Sequence, residues 1–434
     1  PIIVSTGDSN KAIDSSKNKL DGSISIGGQE HYYLEGQVAF AIPTEDNEMV
    51  VHSSTQNPTE VQHLVAHVLD VPQNAIEVVT RRMGGGFGGK ETDSSQLACV
   101  CAIFANQTKL PIKARLSRKD DILMTGKRHD FKANYKVGYD DDGRILGIEV
   151  DLAARCGYSL DLSKAIVSRA LFHADNAYFL PNATFRGFLC KTNTASNTAF
   201  RGFGGPQGML AIENIIEEIA MNIGVDSLEI RQLNYYQKET NNVTPYDQVV
   251  EDNIVNELTT ELIEDSQYLA RRASIKNFNK NNTYLKKGLA FSPVKFGISF
   301  TTQLLNQAGA LVNIYKDGSI YINHGGTEMG QGLFIKVAQV VANEFGVNLE
   351  RVKVSATSTA KVPNTSPTAA SSGSDLNGMA AREACLRIKK NLTVFAQDFY
   401  GQDNDDIEFK DSFVTVGKKR IAFDEFVSTA YLNR

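Results

Sequence analysis

The sequence predicts an α+β protein (mixed α/β) with two related layered domains, and three observations predict it. Polar and apolar residues alternate over residues 23–43, in SISI and then LEGQVAFAI, which is typical of strands around the small loop GGQEH. A strand–helix–strand pattern occurs twice, at 50–79 and 319–354. An apolar stripe of helical spacing predicts an amphipathic helix over 207–222, between the two copies.

The two copies of the pattern correspond element by element. The first copy reads as a strand, a helix and a second strand at 50–54, 59–69 and 76–79. The second copy reads as the same elements at 319–323, 333–345 and 352–354. In DVPQNAIEV and GVNLERVKV alike, the second strand begins five positions after the first valine. Each copy then ends in a loop of small residues, at 84–91 and 364–375, which suggests two related halves.

Composition excludes several classes of protein. The chain has 434 residues and a formal net charge of −5, which argues against a nucleic-acid surface and predicts no nucleic-acid partner. Its longest apolar runs, such as the one over 97–104, are too short to cross a bilayer, so no membrane partner is predicted. Because no targeting or lipidation motif is visible, we expect a cytoplasmic location.

The cysteines and histidines do not predict a metal site. The five cysteines are scattered without a CxxC pair, which argues against a disulfide framework, zinc or an iron–sulfur cluster. Cys99 and Cys101 lie in the apolar run LACVCAIF and are expected to be buried, unreactive thiols. His63 and His67 have helical i, i+4 spacing, but no glutamate follows the first histidine and no third ligand is evident.

Four loops rich in glycine carry the strongest signal, at 27–31, 84–91, 201–208 and 325–332. The phosphate-binding Walker pattern fails because Lys90 is followed by Glu91, and the dinucleotide fingerprint lacks its acidic partner. Two of the loops lead into helices, where backbone N–H groups can bind an anion. They predict a long, phosphate-bearing ligand held mainly by backbone. The alternative is that they are tight turns between strands.

Several long motifs resemble one known family in order along the chain. They are GGQEHYYLE, RMGGGFGGKET, RALFH, CKTNTASNTAFRGFGGPQGM, KFGISFT, LNQAGAL, HGGTEMGQGL and PNTSPTAAS. From about Gly27 onward the chain resembles the molybdenum-binding part of xanthine dehydrogenases, in the xanthine oxidase and aldehyde oxidase family. The resemblance implies two related molybdopterin-binding halves at 23–245 and 286–434, the second truncated, joined by a connecting segment at 246–285. Residues 1–22 would be the tail of a preceding hammerhead-type domain.

The resemblance also implies a cofactor and the residues that hold it. In that family, molybdenum is held by the dithiolene sulfurs of a pyranopterin, so no side chain of this chain is expected to ligate the metal. Gln29 would donate its amide to an oxygen ligand of molybdenum, and Arg201 would present its backbone there. The full set of cofactor-binding residues implied is Gln29, Phe87, Gly88, Arg201, Gln331, Ala370 and Ser371.

A substrate site follows from the same resemblance. Phe203 and Phe300 would sandwich a flat heteroaromatic ring, as offset and edge-to-face contacts favour, and Thr301 would add a polar contact. Glu91 and Arg169 would serve as catalytic residues by hydrogen-bonding opposite ends of a purine and stabilising charge that develops during attack. The alternatives are that Glu91 is a surface carboxylate and that Arg169 forms a structural salt bridge on its helix.

The acid–arginine pair favours purine over aldehyde substrates within the family. Aldehyde oxidases resemble this chain but usually lack the pair, so the resemblance implies oxidative hydroxylation of hypoxanthine and xanthine to urate, in purine catabolism. An aldehyde oxidase remains an alternative. A second alternative is a non-catalytic module that binds a phosphate-bearing ligand, which would leave Glu91, Arg169 and the two phenylalanines unexplained.

Parts of the family's machinery are not found in this sequence. The general base of the family is a glutamate in a GEPP-type motif, and no such motif occurs between Pro1 and Arg434. We therefore expect the isolated chain to be inactive. Iron–sulfur clusters and FAD are expected on a partner subunit or on other domains, which implies a hetero-oligomer. The absence of a methionine before Met49 and the end within the helical pattern AFDEFVSTAYLNR suggest a piece of a longer polypeptide.

Overall fold

The structure, a computed structural model, describes residues 1–401 and 406–433. Its strands in chain order are β1 (Ile2–Thr6), β2 (Asn18–Ile26), β3 (Val38–Pro43), β4 (Met49–Ser53), β5 (Ile76–Thr80), β6 (Ile112–Arg115), β7 (Phe131–Tyr139), β8 (Ile145–Gly157), β9 (Ala183–Lys191), β10 (Ala310–Ile314), β11 (Ile320–His324), β12 (Val352–Val354), β13 (Thr357–Ser358), β14 (Ile407–Lys410), β15 (Phe413–Val416) and β16 (Lys419–Ala422).

The α-helices lie among these strands along the chain. In chain order they are α1 (Ser9–Ser15), α2 (Pro58–Leu69), α3 (Ser94–Thr108), α4 (Arg118–Met124), α5 (Ser163–Leu171), α6 (Gly205–Ile223), α7 (Ser227–Asn234), α8 (Val255–Asp265), α9 (Tyr268–Asn281), α10 (Leu333–Phe345), α11 (Gly373–Tyr400) and α12 (Phe423–Leu432). None of the described helices is both long enough and apolar enough to cross a bilayer.

The chain divides into two compact units that alternate along the sequence. Unit 1 consists of residues 1–29 and 127–297, and unit 2 consists of residues 30–126 and 298–434. Both strand–helix–strand copies lie in unit 2, whereas the boundaries expected from the sequence separate them. Those boundaries, at 22, 245 and 285, stay predictions.

Unit 1 is a layered sheet with helices on it. Its five strands lie in the order β1-β9-β8-β7-β2, antiparallel except for the parallel pair β8 and β9. The apolar stripe of α6, including Ile212, Ile215, Ile216 and Ile219, is fully buried in the same core as α5 and the sheet. Burial of that stripe is the main force that fixes α6, because apolar area removed from water stabilises a fold by about 25 cal/mol per Å². The residues expected to belong to a preceding domain form β1, α1 and most of β2 here.

Unit 2 contains a five-stranded sheet, order β13-β5-β4-β3-β6, and two three-stranded sheets. The two strand–helix–strand copies have the same topology, because β4 runs parallel to β5 and β11 runs parallel to β12. The short strand β13, which follows the second copy, pairs with β5 of the first. Both copies therefore have the predicted strand–helix–strand topology, and their relationship as two halves stays a prediction.

Most predicted elements are confirmed. The bounds of α10 and β12 coincide with those predicted, and α6 begins two residues earlier, with a proline in its first turn. The strand expected to begin at Leu34 was wrong at its start, since β3 begins at Val38. The reason is that Gln37 is held in a loop, where its backbone N–H donates to Asp121 (2.9 Å) and its side chain to Tyr33.

The thiols of Cys99 and Cys101 differ in burial. Cys101 is fully buried on α3, as predicted, whereas Cys99 is only partly buried. Burial raises the pKa of both thiols, which keeps them protonated at neutral pH.

Candidate cofactor and substrate site

The glycine loop before α6 exists because two helices approach closely. A Cβ at Gly204 would collide with the carbonyl of Ile166 on α5, and one at Gly208 would collide with the carbonyl of Ala170. Gly204 also has φ +94°, which glycine adopts without strain. Close packing of α5 and α6, and not a tight turn between strands, therefore accounts for these two glycines, and the contact places the loop beside the helix that carries Arg169.

Arg169 is almost fully buried, with 5% of its surface exposed. Its Nη1 donates to the carbonyl of Gly297 at 2.6 Å, and burial lowers the pKa of its guanidinium. His173 holds the same glycine from the other side, because its Nε2 accepts from the Gly297 N–H at 3.1 Å and its Nδ1 bonds to the Arg169 carbonyl at 2.8 Å. Arg169 and His173 therefore both hold the backbone of Gly297.

Gln29 and Arg201 share a partner in unit 1 that the sequence did not reveal. The Nε of Arg128 donates to Gln29 Oε1 at 2.7 Å, and its Nη2 donates to the Arg201 carbonyl at 2.8 Å. Its guanidinium carbon lies 3.9 Å from the centre of the Phe200 ring. Because Gln29 Oε1 faces Arg128, the amide nitrogen of Gln29 is directed away and can donate elsewhere.

In unit 2 the loop at 84–91 is held by Gln56. Its Oε1 accepts from the Gly88 N–H at 2.8 Å, and its Nε2 donates to the Thr368 carbonyl at 3.1 Å. Gln56 therefore joins the two small-residue loops of the paired copies. The sequence analysis missed it, although it lies three residues beyond β4, and residues that follow the carboxyl ends of parallel strands commonly bind ligands.

Lys90, in the same loop, is completely buried. Its Nζ donates to Ser54 Oγ at 2.8 Å, lies 3.9 Å from Glu35 and sits over the Tyr33 ring. Burial lowers the pKa of Lys90 to about 8, although the negative charges of Glu35 and Asp121 oppose that shift. Glu35 in turn accepts from the Gly84 N–H, so this ionic cluster fixes the first residue of the glycine run.

The loop at 325–332 is closed by its own side chains. Gln331 accepts from the Met329 N–H at 2.7 Å and donates to the Thr327 carbonyl at 3.0 Å. Thr327 connects to the other loops, because its N–H donates to Thr368 Oγ1 at 2.7 Å. Glu328 accepts from the Phe334 N–H at the start of α10, so a carboxylate already neutralises that end of the helix.

In the loop around Phe300, both the N–H and the carbonyl of Phe300 are hydrogen-bonded. Asn306 accepts from the Phe300 N–H and donates to the Phe300 carbonyl, each at 2.9 Å. The preceding Ser299 donates its N–H to the carbonyl of Ala370 at 2.8 Å. The predicted substrate loop and the predicted cofactor loop at 370–371 are therefore in direct contact within unit 2.

Backbone strain marks the same loops. Among the described residues, the aromatic residues with positive φ are Tyr32 (+50°), Phe87 (+56°) and Phe203 (+51°), and each lies in or beside a glycine loop singled out by sequence. Ala370 and Ser371 share this conformation, at +57° and +56°. Side chains adopt it at a cost of order 1–3 kcal/mol, and such residues cluster at functional sites.

The structure distributes the predicted residues over both units. Unit 1 contains Gln29, Arg169, Arg201 and Phe203, and unit 2 contains Phe87, Gly88, Glu91, Phe300, Thr301, Gln331, Ala370 and Ser371. Within unit 2, hydrogen bonds through Gln56 and Thr368 connect the loops of Gly88 and Gln331. Glu91 is 5% exposed and donates its N–H to the Gly88 carbonyl at 3.2 Å, so it is not a surface carboxylate.

These donors suit a polar, anionic cofactor. They include the amide of Gln29 and the guanidinium of Arg128, and groups of both kinds bind oxyanions well. Within residues 1–401 and 406–433, no group of three or more His, Cys, Asp or Glu side chains is placed to hold a metal ion.

Comparison with known families gives the same result. The molybdopterin cofactor-binding domain family matches in two parts, with a first model over residues 2–235 and a second over residues 261–434. The first model alone spans more than half of the chain. The chain belongs to the molybdopterin cofactor-binding domain family. The molybdopterin cofactor expected from the motifs is thus confirmed.

The relatives of this molybdopterin-binding chain include xanthine dehydrogenases and a nicotinate hydroxylase. It is 45% identical to a xanthine dehydrogenase of Dictyostelium discoideum over 96% of its length, and 46% identical to a nicotinate hydroxylase of Emericella nidulans over 91%. It covers 32% and 29% of those proteins, so the chain spans about a third of the length of the curated relatives it matches.

Solved structures confirm the fold class. The quinoline 2-oxidoreductase of Pseudomonas putida 86 superimposes with a TM-score of 0.87 at 22% identity, over 99% of this chain and 56% of that one. At that identity the likeness establishes the α+β fold of the molybdopterin-binding domains. The individual site residues stay predictions.

Proposed function

We propose that this molybdopterin-binding chain takes part in the hydroxylation of hypoxanthine and xanthine, as the substrate- and cofactor-holding part of a xanthine dehydrogenase. The observation that carries the proposal is the burial of two ionisable side chains, one in a glycine loop and one on the helix that packs against another glycine loop. Glu91 and Arg169 are each 5% exposed, and each is bonded to a loop predicted for the site. Buried, ionisable groups of this kind are characteristic of binding and catalysis.

The roles of the side chains follow from their chemistry. The cofactor, when bound, supplies the redox chemistry of the hydroxylation. Arg169 remains protonated and offers a planar fork of donors to the oxygen or nitrogen atoms of a purine. Its fixed position stabilises negative charge that develops on the ring. Glu91 accepts from ring N–H groups, and Phe203 and Phe300 bind the two faces of the ring.

The cofactor is proposed to lie against the backbone of the glycine loops. Gln29, Phe87, Gly88, Arg201, Gln331, Ala370 and Ser371 are the residues proposed to contact it. Electrons leaving the site need an acceptor, so we also propose iron–sulfur and flavin centres on other domains or a partner subunit, in a cytoplasmic hetero-oligomer of the purine catabolic pathway.

A pyridine carboxylate is the second candidate substrate. The nicotinate hydroxylase is as similar to this chain as the xanthine dehydrogenase is, at 46% against 45% identity. Arg169 could bind the carboxylate of such a substrate as a bidentate pair. An aldehyde would use neither Arg169 nor Glu91.

Steady-state turnover by the intact protein decides among these substrates. Hypoxanthine, nicotinate and benzaldehyde are compared at equal enzyme, with uric acid or the hydroxylated product identified by mass. We expect the highest kcat/KM for hypoxanthine. Oxidation of benzaldehyde without any turnover of hypoxanthine would reject the purine proposal and support the aldehyde oxidase.

A further inference from the structure

Arg128 is a buried cation that no ion pair explains. Its side chain is 8% exposed, and burial lowers its pKa to about 10, which leaves it charged at neutral pH. Burial is the only cause of that shift, with no carboxylate acting on it among the described residues. A buried charge without a counter-ion is costly, so its retention calls for a ligand or a positioning role.

Its contacts are all to neutral acceptors in the predicted cofactor loops. Nε donates to Gln29 Oε1 and Nη2 donates to the Arg201 carbonyl, as described above, and the Arg128 N–H donates to the Gln29 carbonyl at 3.0 Å. The guanidinium stacks on Phe200, the residue before Arg201. These contacts occupy two of its three nitrogens.

The third nitrogen, Nη1, is buried and has no hydrogen-bond partner in the described chain. Such an unsatisfied buried donor is rare in native proteins, and a charged one is the most costly kind. The donor would be satisfied by an oxygen acceptor of a bound molecule.

The backbone beside Arg128 is fixed by both ends of the same loop. The Lys127 carbonyl accepts from the Thr198 N–H at 3.0 Å, and the His129 carbonyl accepts from Gln207 Nε2 at 3.0 Å. Thr198 precedes the glycine loop and Gln207 lies in the first turn of α6. Arg128 therefore has little freedom to reach another partner.

We infer that Arg128 is a positioning residue for molybdopterin. It fixes the Gln29 amide and the Arg201 carbonyl, and its Nη1 donates to an anionic oxygen of the cofactor. The inference rests on the proposed function, because it takes Gln29 and the Arg201 loop as cofactor contacts.

The test compares R128M, R128K and wild type in the intact protein, with R155M as a matched control. Arg155 lies in the same unit, where its Nε forms an ion pair with Asp130 at 2.7 Å. Molybdenum is measured by elemental analysis and pterin by fluorescence after oxidation, both per folded chain. The melting temperature of each protein is measured after the cofactor is stripped.

We expect R128M to lose at least tenfold of its molybdenum and pterin, R128K to retain an intermediate amount, and R155M to match wild type. The stripped R128M and R155M proteins should melt within about 4 °C of each other. An R128M protein with the molybdenum and pterin content of wild type would overturn the inference. A loss of cofactor that only parallels the fraction of unfolded protein would also overturn it.

The same preparations separate this inference from the purine proposal. Wild type that contains molybdopterin but does not oxidise hypoxanthine would reject the proposed substrate, whereas the Arg128 inference would stand or fall on the cofactor contents alone. Wild type that contains no pterin would overturn both.

Discussion

At the residue scale, Gly330 can distinguish a glycine required by its backbone conformation from one required by a bound ligand. It has φ +101°, and a Cβ there would meet no atom within 4 Å. Gly401, at the end of α11, is also left-handed, at +66°, and a Cβ there would likewise meet no atom of the described residues within 4 Å. Gly88, at +100°, is a poorer choice, since its own N–H is committed to Gln56.

We expect Gly330→Ala and Gly401→Ala to cost similar stability, about 1 kcal/mol each, from backbone strain. Only Gly330→Ala should also deplete molybdenum, because its Cβ would enter space next to a predicted pterin contact. Thermal melts and elemental analysis of the same two preparations check this. Equal molybdenum in both variants would mean that the cofactor does not approach Gly330.

Arg169 carries the prediction on substrate choice. In the intact protein, Arg169→Met should lower kcat/KM for hypoxanthine by about 10²–10³-fold, since it removes a charge-assisted contact of a few kcal/mol from a closed site. Benzaldehyde turnover should fall less than tenfold. Arg186→Met is the control, because Arg186 forms ion pairs with Glu149 and Asp151 on the neighbouring strand. Equal losses on both substrates from Arg169→Met would make Arg169 structural.

At the scale of elements, the contact between α5 and α6 depends on missing side chains. Gly204→Ala should cost at least 2 kcal/mol more than Gly224→Ala, on the order of the penalty for an overpacked core. Both glycines are left-handed and flank α6, but only the Cβ at Gly204 would strike backbone, whereas that at Gly224 would meet nothing within 4 Å. Urea unfolding of the two variants measures the difference. Equal stabilities would show that the helices can separate without cost.

The ends of individual helices and strands were the features best predicted from the sequence. The hydrophobic periodicity of α10 and β12 and the glycines around α6 are local features of the sequence. They predicted the ends of these elements to within two residues. Gln56 and Arg128 could not be found in this way, because their roles come from partners distant in sequence. Gln56 and Thr368, for example, are 312 positions apart. The alternation of the two units along the chain escaped prediction for the same reason.

At the scale of the whole molecule, three of the four buried histidines predict sensitivity to acid. Burial lowers the pKa of His129, His173 and His324 to about 4. Between the unfolded pKa near 6.5 and these folded values, the unfolded chain binds more protons. The free energy of unfolding should therefore fall as pH drops from 6.5 to 4, by up to about 1.4 kcal/mol per pH unit for each histidine.

Urea unfolding between pH 4 and pH 7.5 measures that slope. His324→Asn should remove about a third of the part of the slope that His129, His173 and His324 contribute. A stability that stays level down to pH 4.5 would show that these histidines are hydrated in the native protein.

The molybdenum and pterin content of the purified intact protein shows whether the loops of this chain hold molybdopterin. We predict that molybdenum and oxidised-pterin fluorescence elute together with the protein, approaching one of each per chain. They should fall together in Gly330→Ala but not in Gly401→Ala. A well-folded protein that contains neither molybdenum nor pterin, when produced in cells that make the cofactor, would contradict the account.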